Sequence, residues 1–169
     1  MIHPVVKFGD EVLAKKAAAV TVFDGDLQKL IEDMFESMYA AQGVGLSAPQ
    51  IGVSRHIAVI DTSGGNDPKA RLVLVNPEII ATEGKQTEEE GCLSVPGFRE
   101  KCKRPAKATV RALDRNGNEF TMTGEGLLAR AFCHETDHLN GRLFISHLSS
   151  LKRELIMRKI RKMMKNGEW

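Results

Sequence analysis

The five residues His134-Glu135-Thr136-Asp137-His138 can act together only if the chain around them is helical. Residues four apart on an α-helix lie one above the other, so both imidazoles then face one point. Glu135, one step round, reaches the open side of whatever they hold. Two imidazoles beside a carboxylate suit a metal ion and a water molecule that the ion activates. The flanking residues agree: they predict a helix from near Gly124 or Glu125 to Asn140, stopped by Gly141 in the left-handed conformation. Leu127, Leu128 and Ala131 precede His134 on or near its face, and core packing accounts for most of their burial. Leu127 and Ala131, two turns and one turn before His134, are also placed to wall a pocket beside it.

A catalytic metal usually takes three protein ligands and keeps a position for water, so a third ligand must be found. Phe144 fills the position where a metzincin protease carries its third histidine, which counts against that class. Glu154, sixteen residues after His138, lies in a basic stretch that reads as a surface helix and is a weak candidate. Upstream, Glu90-Gly91-Cys92-Leu93-Ser94 offers a thiolate beside a glycine that permits close backbone approach. A buried, inert Cys92 is the competing reading, and spacing does not decide between the two.

The remaining pattern is that of a mixed fold. Leu27, Leu30, Ile31, Met34 and Met38 recur at helical spacing from Asp26 to about Met38, with Asp24 or Asp26 as cap. That helix ends before Gly43-Val44-Gly45, read with Pro49 as an irregular, extended loop. Strands are predicted at 56–61, 71–75, 78–81 and 109–113, the last joined through Asn116-Gly117 to 119–123. Ser63-Gly64-Gly65-Asn66-Asp67-Pro68 reads as a mobile loop, and Glu88-Glu89-Glu90 as a solvated turn. The fold class is α+β: mostly antiparallel or mixed β-sheets around a central helix carrying the His-Glu-x-x-His residues, with a C-terminal helix.

With 169 residues, 42% of them hydrophobic, a single domain spanning 1–169 with a real core is expected. The 24 basic and 22 acidic residues give a formal net charge of +2, so no global field argues for nucleic acid. The chain opens directly in mixed sequence at Met1-Ile2-His3-Pro4, and no stretch approaches membrane-spanning length, so a cytoplasmic, non-membrane and monomeric enzyme is expected. Cys92, Cys102 and Cys133 are an odd number and are read as thiols. From 149 to 167 a helix is predicted with Leu151, Leu155, Ile160 and Met164 inward and seven Lys and Arg side chains largely outward. Such a face is usually only solvated; the sharper reading is docking on ribosomal RNA.

Three segments, Gly43-Val44-Gly45-Leu46-Ser47-Ala48-Pro49-Gln50, Glu90-Gly91-Cys92-Leu93-Ser94 and His134-Glu135-Thr136-Asp137-His138, closely resemble, in that order and at those separations, the three motifs of bacterial peptide deformylases. The likeness extends through the flanking chain almost end to end. Two departures stand out: Ser47 where the family usually has alanine, and Cys133 where glutamine commonly precedes the first histidine. Cys133 lies about 100° round the helix from His134 and is expected to point away from the metal.

The resemblance implies a metal-dependent hydrolase of protein biosynthesis. Its substrate would be a nascent N-formylmethionyl peptide, and its products formate and a free amine. It makes Cys92, His134 and His138 the metal ligands and Glu135 the general base and then acid. It assigns the Gln50 amide and the Leu93 backbone N–H to the developing oxyanion. It nominates Val44, Leu127 and Ala131 for an apolar methionine slot with Glu90 and Arg99 near its mouth, and Gly45 and Gly91 as places where substrate backbone pairs with the enzyme. Ligand chemistry alone points to zinc; the resemblance implies Fe2+, with Zn2+, Ni2+ or Co2+ able to substitute. Arg130, near the pocket, either snorkels outward or shapes the rim. Two other classes stay in play: a zinc peptidase acting on internal bonds, and a binding protein with a structural metal.

Overall fold

The computed structural model describes residues 1–169. Helix α1, Gly25–Ala40, is capped by the Asp24 side chain, which accepts from the Leu27 N–H at 3.0 Å. Leu27, Ile31, Met34 and Met38 are buried, as the periodicity predicts; Leu30 is only partly buried, and Phe35 joins the buried face. It packs on an antiparallel sheet of five strands in the order β1-β2-β3-β6-β7: Gly45–Ser47, Ile57–Ile60, Leu72–Glu83, Lys107–Leu113 and Glu119–Glu125. Strands β4, Gln86–Gly91, and β5, Arg99–Arg104, form a separate two-stranded sheet.

Four strands, β1, β3, β4 and β5, depart from expectation. The segments expected at 71–75 and 78–81 are one strand, β3, that runs through Asn76-Pro77 with a shift of register. Proline cannot donate to a ladder, and the chain accommodates it with an irregularity: Asn76 adopts φ 50° and its side chain pairs with both backbone groups of Val20 at 2.9 Å. The glycine-rich stretch after α1 reads as irregular in sequence, yet Gly45–Ser47 pairs with Ala58–Ile60 as the short edge strand β1. Glu88-Glu89-Glu90 is a strand and not a solvated turn, because β4 faces an equally charged β5, Glu89 opposite Lys101 and Thr87 opposite Lys103. Alternation there is carried by charge: Glu90, Cys102 and Arg104 turn inward while their neighbours stay wet.

Helix α2, Leu127–Leu139, begins after Gly126 at φ 59°, later than expected because β7 holds the chain to Glu125. Gly141 ends it at φ 79°, where a Cβ would stand 2.8 Å from the Ala14 carbonyl oxygen, so both backbone conformation and space exclude a side chain. Ala129, Ala131, Phe132 and Cys133 press α2 onto Ile60, Leu74, Val110 and Ala112 of the sheet. Burying a ring such as that of Phe132 contributes about 2–3 kcal/mol. At the start of the loop after β2, the Ser63 hydroxyl and N–H both bond Asp61 Oδ1, at 2.6 and 2.9 Å.

Helix α3, Ser150–Lys165, turns a different face inward from the one expected. Ile156 and Ile160 are buried, whereas Leu151 is 72% and Leu155 47% exposed. Leu155 precedes Ile160 by five residues, which puts it about 140° away, while Ile156 and Ile160 are one turn apart on one side. Met164 is also partly exposed but reaches back to Gly9.

Candidate active site

A cavity of about 580 Å³ opens between the edge strand β1, the loop after β4 and the first turns of α2. Val44, Gly45, Leu93, Arg99, Leu127 and Ala131 line it, together with Gln50, Glu135, His134 and Cys92, so the structure brings the sequence-derived candidates to one place. His138 lies just beneath, fully buried.

The α-helical geometry sets His134 and His138 one turn apart with their Nε2 atoms 3.2 Å from each other, and the Cys92 Sγ stands 3.2 Å from the His138 Nε2. All three donor atoms lie within 4.8 Å of one another. A tetrahedral site with bonds of about 2.1 Å to nitrogen and 2.3 Å to sulfur spaces its donors by about 3.5 Å, so this set fits one divalent ion. Burial pushes the Cys92 thiol up, but the charge of His138 and the hydrogen bonds of both histidines outweigh it and bring the pKa down to about 5. Burial likewise disfavours a charged His134, yet Glu135, Cys92 and Glu90 hold it well above the ordinary imidazole range. The pocket floor favours positive charge, as a metal site must.

His134 is aimed by its other nitrogen, with Nδ1 2.8 Å from Glu90 Oε2. Glu90 is 4% exposed, so its carboxylate faces inward and not the pocket mouth. The Arg104 Nε and Nη2 donate to it at 3.0 and 2.6 Å, and Arg130 Nη1 at 2.5 Å. Burial resists ionisation of Glu90, but hydrogen bonds from His134 and Arg104 hold its carboxyl well below the usual range. Arg130 therefore does not snorkel outward: it is buried against Glu90 and contributes to the cavity lining. Arg104 Nη1 also donates to Asp137 Oδ2 at 2.7 Å, tying β5 to the motif helix. Neither Arg104 nor Asp137 was distinguishable in the sequence, because a lone arginine in a charged strand carries no signal of a contact 33 residues away.

Gln50 is 1% exposed and its amide orientation is determined. Its Oε1 accepts from the Ser47 N–H at 3.0 Å and from the Ser47 hydroxyl at 3.2 Å. The NH2 is thereby directed at Ser94 Oγ, 3.2 Å, and Cys92 Sγ, 3.7 Å. The unusual Ser47 thus adds a hydrogen bond that alanine lacks. Leu93 lines the same cavity, and its backbone N–H is untaken by any hydrogen bond within the chain.

Glu135 is 3% exposed with Oε1 unpartnered, and burial raises its pKa against the pull of His134 and His138. Gly45 faces it so closely that a Cβ there would stand 2.5 Å from Glu135 Oε2. Gly91 is open by comparison, its would-be Cβ meeting only the Arg99 side chain. Phe144 stacks on His134 at 6.4 Å between ring centres, and Glu154 sits exposed on α3 paired with Arg158 and Arg161, so neither supplies a ligand. Cys133 packs against the sheet, away from the histidines' shared point, and all three cysteines are free.

Residues 2–154 match the family described as Polypeptide deformylase. A peptide deformylase of Acidobacterium capsulatum is 56% identical over 169 residues, all of this chain and 99% of the relative. One of Thermodesulfovibrio yellowstonii is 50% identical over 160 residues, covering 95% of this chain and 97% of the relative. The crystal structure of a peptide deformylase from Legionella pneumophila superposes with a TM-score of 0.91 at 51% identity, over 99% of this chain and 98% of that one. With the match running nearly end to end and the Cys-His-His cluster assembled in its pocket, the chain belongs to the polypeptide deformylase family.

Proposed function

We propose that Cys92, His134 and His138 hold the catalytic ion of this deformylase, and that Glu135 moves the protons of the reaction. As a peptide deformylase, the chain removes the formyl group from the N-terminal formylmethionine of new polypeptides, giving formate and a free amine. A divalent ion bound there supplies Lewis acidity and lowers the pKa of water toward neutrality. Ferrous iron is our reading of that ion, carried by the family resemblance, with zinc, nickel or cobalt able to occupy the same donors. Thiolate ligation of ferrous iron makes the centre sensitive to oxygen.

The observation that carries the assignment is Glu135, a buried carboxylate with one oxygen free, beside the three donors and open to the cavity. A structural metal has no use for such a group. Glu135 takes a proton from water as attack on the formyl carbon begins and returns one to the leaving nitrogen, a role suited to a carboxylate whose pKa burial has raised. The Gln50 NH2 and the Leu93 N–H stabilise charge collecting on the formyl oxygen. Half-exposed Val44 and Leu127, with buried Ala131, receive the methionine side chain. Arg99 stands at the mouth, and the substrate backbone runs along the open edge of β1 at Gly45 and past Gly91. Glu90 serves this site by orienting His134.

We assign the chain to the compartment of translation, acting as a monomer, with the cationic face of α3 docking on ribosomal RNA. Pelleting with ribosomes that is insensitive to salt, or that survives removal of residues 149–169, would argue against that contact. The chemistry is tested by purifying the protein without oxygen, loading ferrous iron and measuring formate from N-formyl-Met-Ala-Ser. Glu135→Gln is expected to lose about 10²–10⁴-fold in kcat while keeping its ion; an active variant refutes the assignment.

A further inference from the structure

Helix α3 ends in a turn that folds the last residues of the chain back on the protein. Gly167, at φ 72°, sends its N–H to the Met164 carbonyl at 3.2 Å, and the Glu168 N–H bonds the Met163 carbonyl at 2.8 Å, a Schellman pair that reverses the chain. Trp169 is thereby carried onto the body of the molecule. Its indole Nε1 donates to the Phe8 carbonyl at 2.8 Å, and its ring packs on Phe98 with centres 6.2 Å apart at 58°.

Both partners lead to the active site. Phe98 belongs to the segment 95–99 that lines the substrate cavity; its ends are held, Val95 buried with its N–H on the Cys92 carbonyl at 2.9 Å and Arg99 paired with Gly91, but its middle is loosely tied. Its Phe98 N–H reaches the Val95 carbonyl at a long 3.4 Å, and Pro96 and Gly97 are exposed. Phe8 donates its N–H to the Ser94 carbonyl at 2.8 Å, and two residues earlier Val6 donates to the Gln50 carbonyl at 2.8 Å. Ser94 accepts the Gln50 amide and donates its N–H to Cys92 Sγ at 3.4 Å. One short segment, residues 6–8, therefore straps together the loops bearing Gln50 and Cys92, and Trp169 is latched to both the strap and the pocket wall.

We propose that Trp169 is a positioning residue for substrate binding: its ring braces Phe98, and so the cavity wall at 95–99, against the strap formed by residues 6–8. It touches no reacting atom, and α3 is fastened independently by Ile156 and Ile160, so its loss leaves the fold in place. The inference rests on the deformylase reading, since the wall matters only if the cavity holds peptide.

Trp169 is the single tryptophan of the chain, which supplies a direct readout. Metal-loaded protein, excited at the red edge of indole absorption, is titrated with the product peptide Met-Ala-Ser; a saturable change in emission is expected. Alongside, Trp169→Ala is expected to raise KM for N-formyl-Met-Ala-Ser roughly three- to ten-fold with kcat within about two-fold. Trp169→Phe, which keeps a ring against Phe98, recovers most of that loss. A merely structural contact would lower the melting temperature and leave KM alone. A parental KM in Trp169→Ala, or emission unmoved by saturating peptide, overturns the proposal. Absence of formate from the parent faults the deformylase reading itself, while the emission titration still reports whether the wall senses peptide.

Discussion

Gly45→Ala isolates the positioning of Glu135 from every other property of the site. The added Cβ would lie 2.5 Å from Glu135 Oε2, 3.0 Å from Cδ and 3.2 Å from Cγ. Ordinary carbon–oxygen contact begins near 3.4 Å, so the carboxylate must retreat by about 0.9 Å. Glu135 lines the cavity and its carboxylate is the end of a flexible side chain, so it is the carboxylate and not the backbone that gives way. The backbone at Gly45 is not left-handed, so alanine strains no dihedral, and the stability cost should stay below about 1.5 kcal/mol. A misplacement of about 1 Å in a reacting group costs on the order of 10²-fold in rate, or about 2.7 kcal/mol of transition-state stabilisation. Formate release measured at saturating N-formyl-Met-Ala-Ser should therefore show kcat down roughly a hundredfold, with metal content and melting temperature near parental. A parental kcat in metal-filled Gly45→Ala would refute the placement of Glu135 as the proton carrier.

Arg104→Met removes the guanidinium that serves both Glu90 and Asp137 and should cost about 3–5 kcal/mol, read as a fall of roughly 10 °C in melting temperature; an unchanged melt would refute the importance of that pair. Tyr39 donates to Asp61 at 2.5 Å, and burial together with that bond raises its pKa from 10.0 to about 12. A group raised on folding contributes stability that is complete below its unfolded value and lost as pH rises through the folded one, so urea midpoints should decline between pH 10 and 12, and Tyr39→Phe should flatten that decline. Cys133→Ser, away from the donors, should leave metal content unchanged, whereas Cys92→Ser should lose the ion; equal metal content in both would contradict the donor set.

The features legible in the sequence are those that obey local rules. Asp24 caps α1, Asn116-Gly117 turns β6 into β7 with Gly117 at φ 87°, and Gly141 stops the motif helix, because each acts on its immediate neighbours. Two of the site's donors are legible for the same reason, since helical spacing alone juxtaposes His134 and His138; Cys92 comes from a distant strand end, and only the family resemblance singles it out. Strands β4 and β5 are hidden because their pairing is between charges, which reads as solvation until the partner strand is known. Glu90 looks like a rim residue because nothing nearby announces that Arg104 and Arg130 close around it. On α3 the expected apolar set mixed two sides of the helix: Ile160 is buried as expected, but its partner is Ile156, one residue and about 100° round from Leu155.

The sharing of Glu90 among Arg104, Arg130 and His134 also governs how this protein can change over generations. Each partner is tolerable only while the others remain, because any single loss strands a buried charge. Single substitutions should therefore be tolerated on the solvent side of β4 and β5 and costly on the inner one, where the four residues depend on one another.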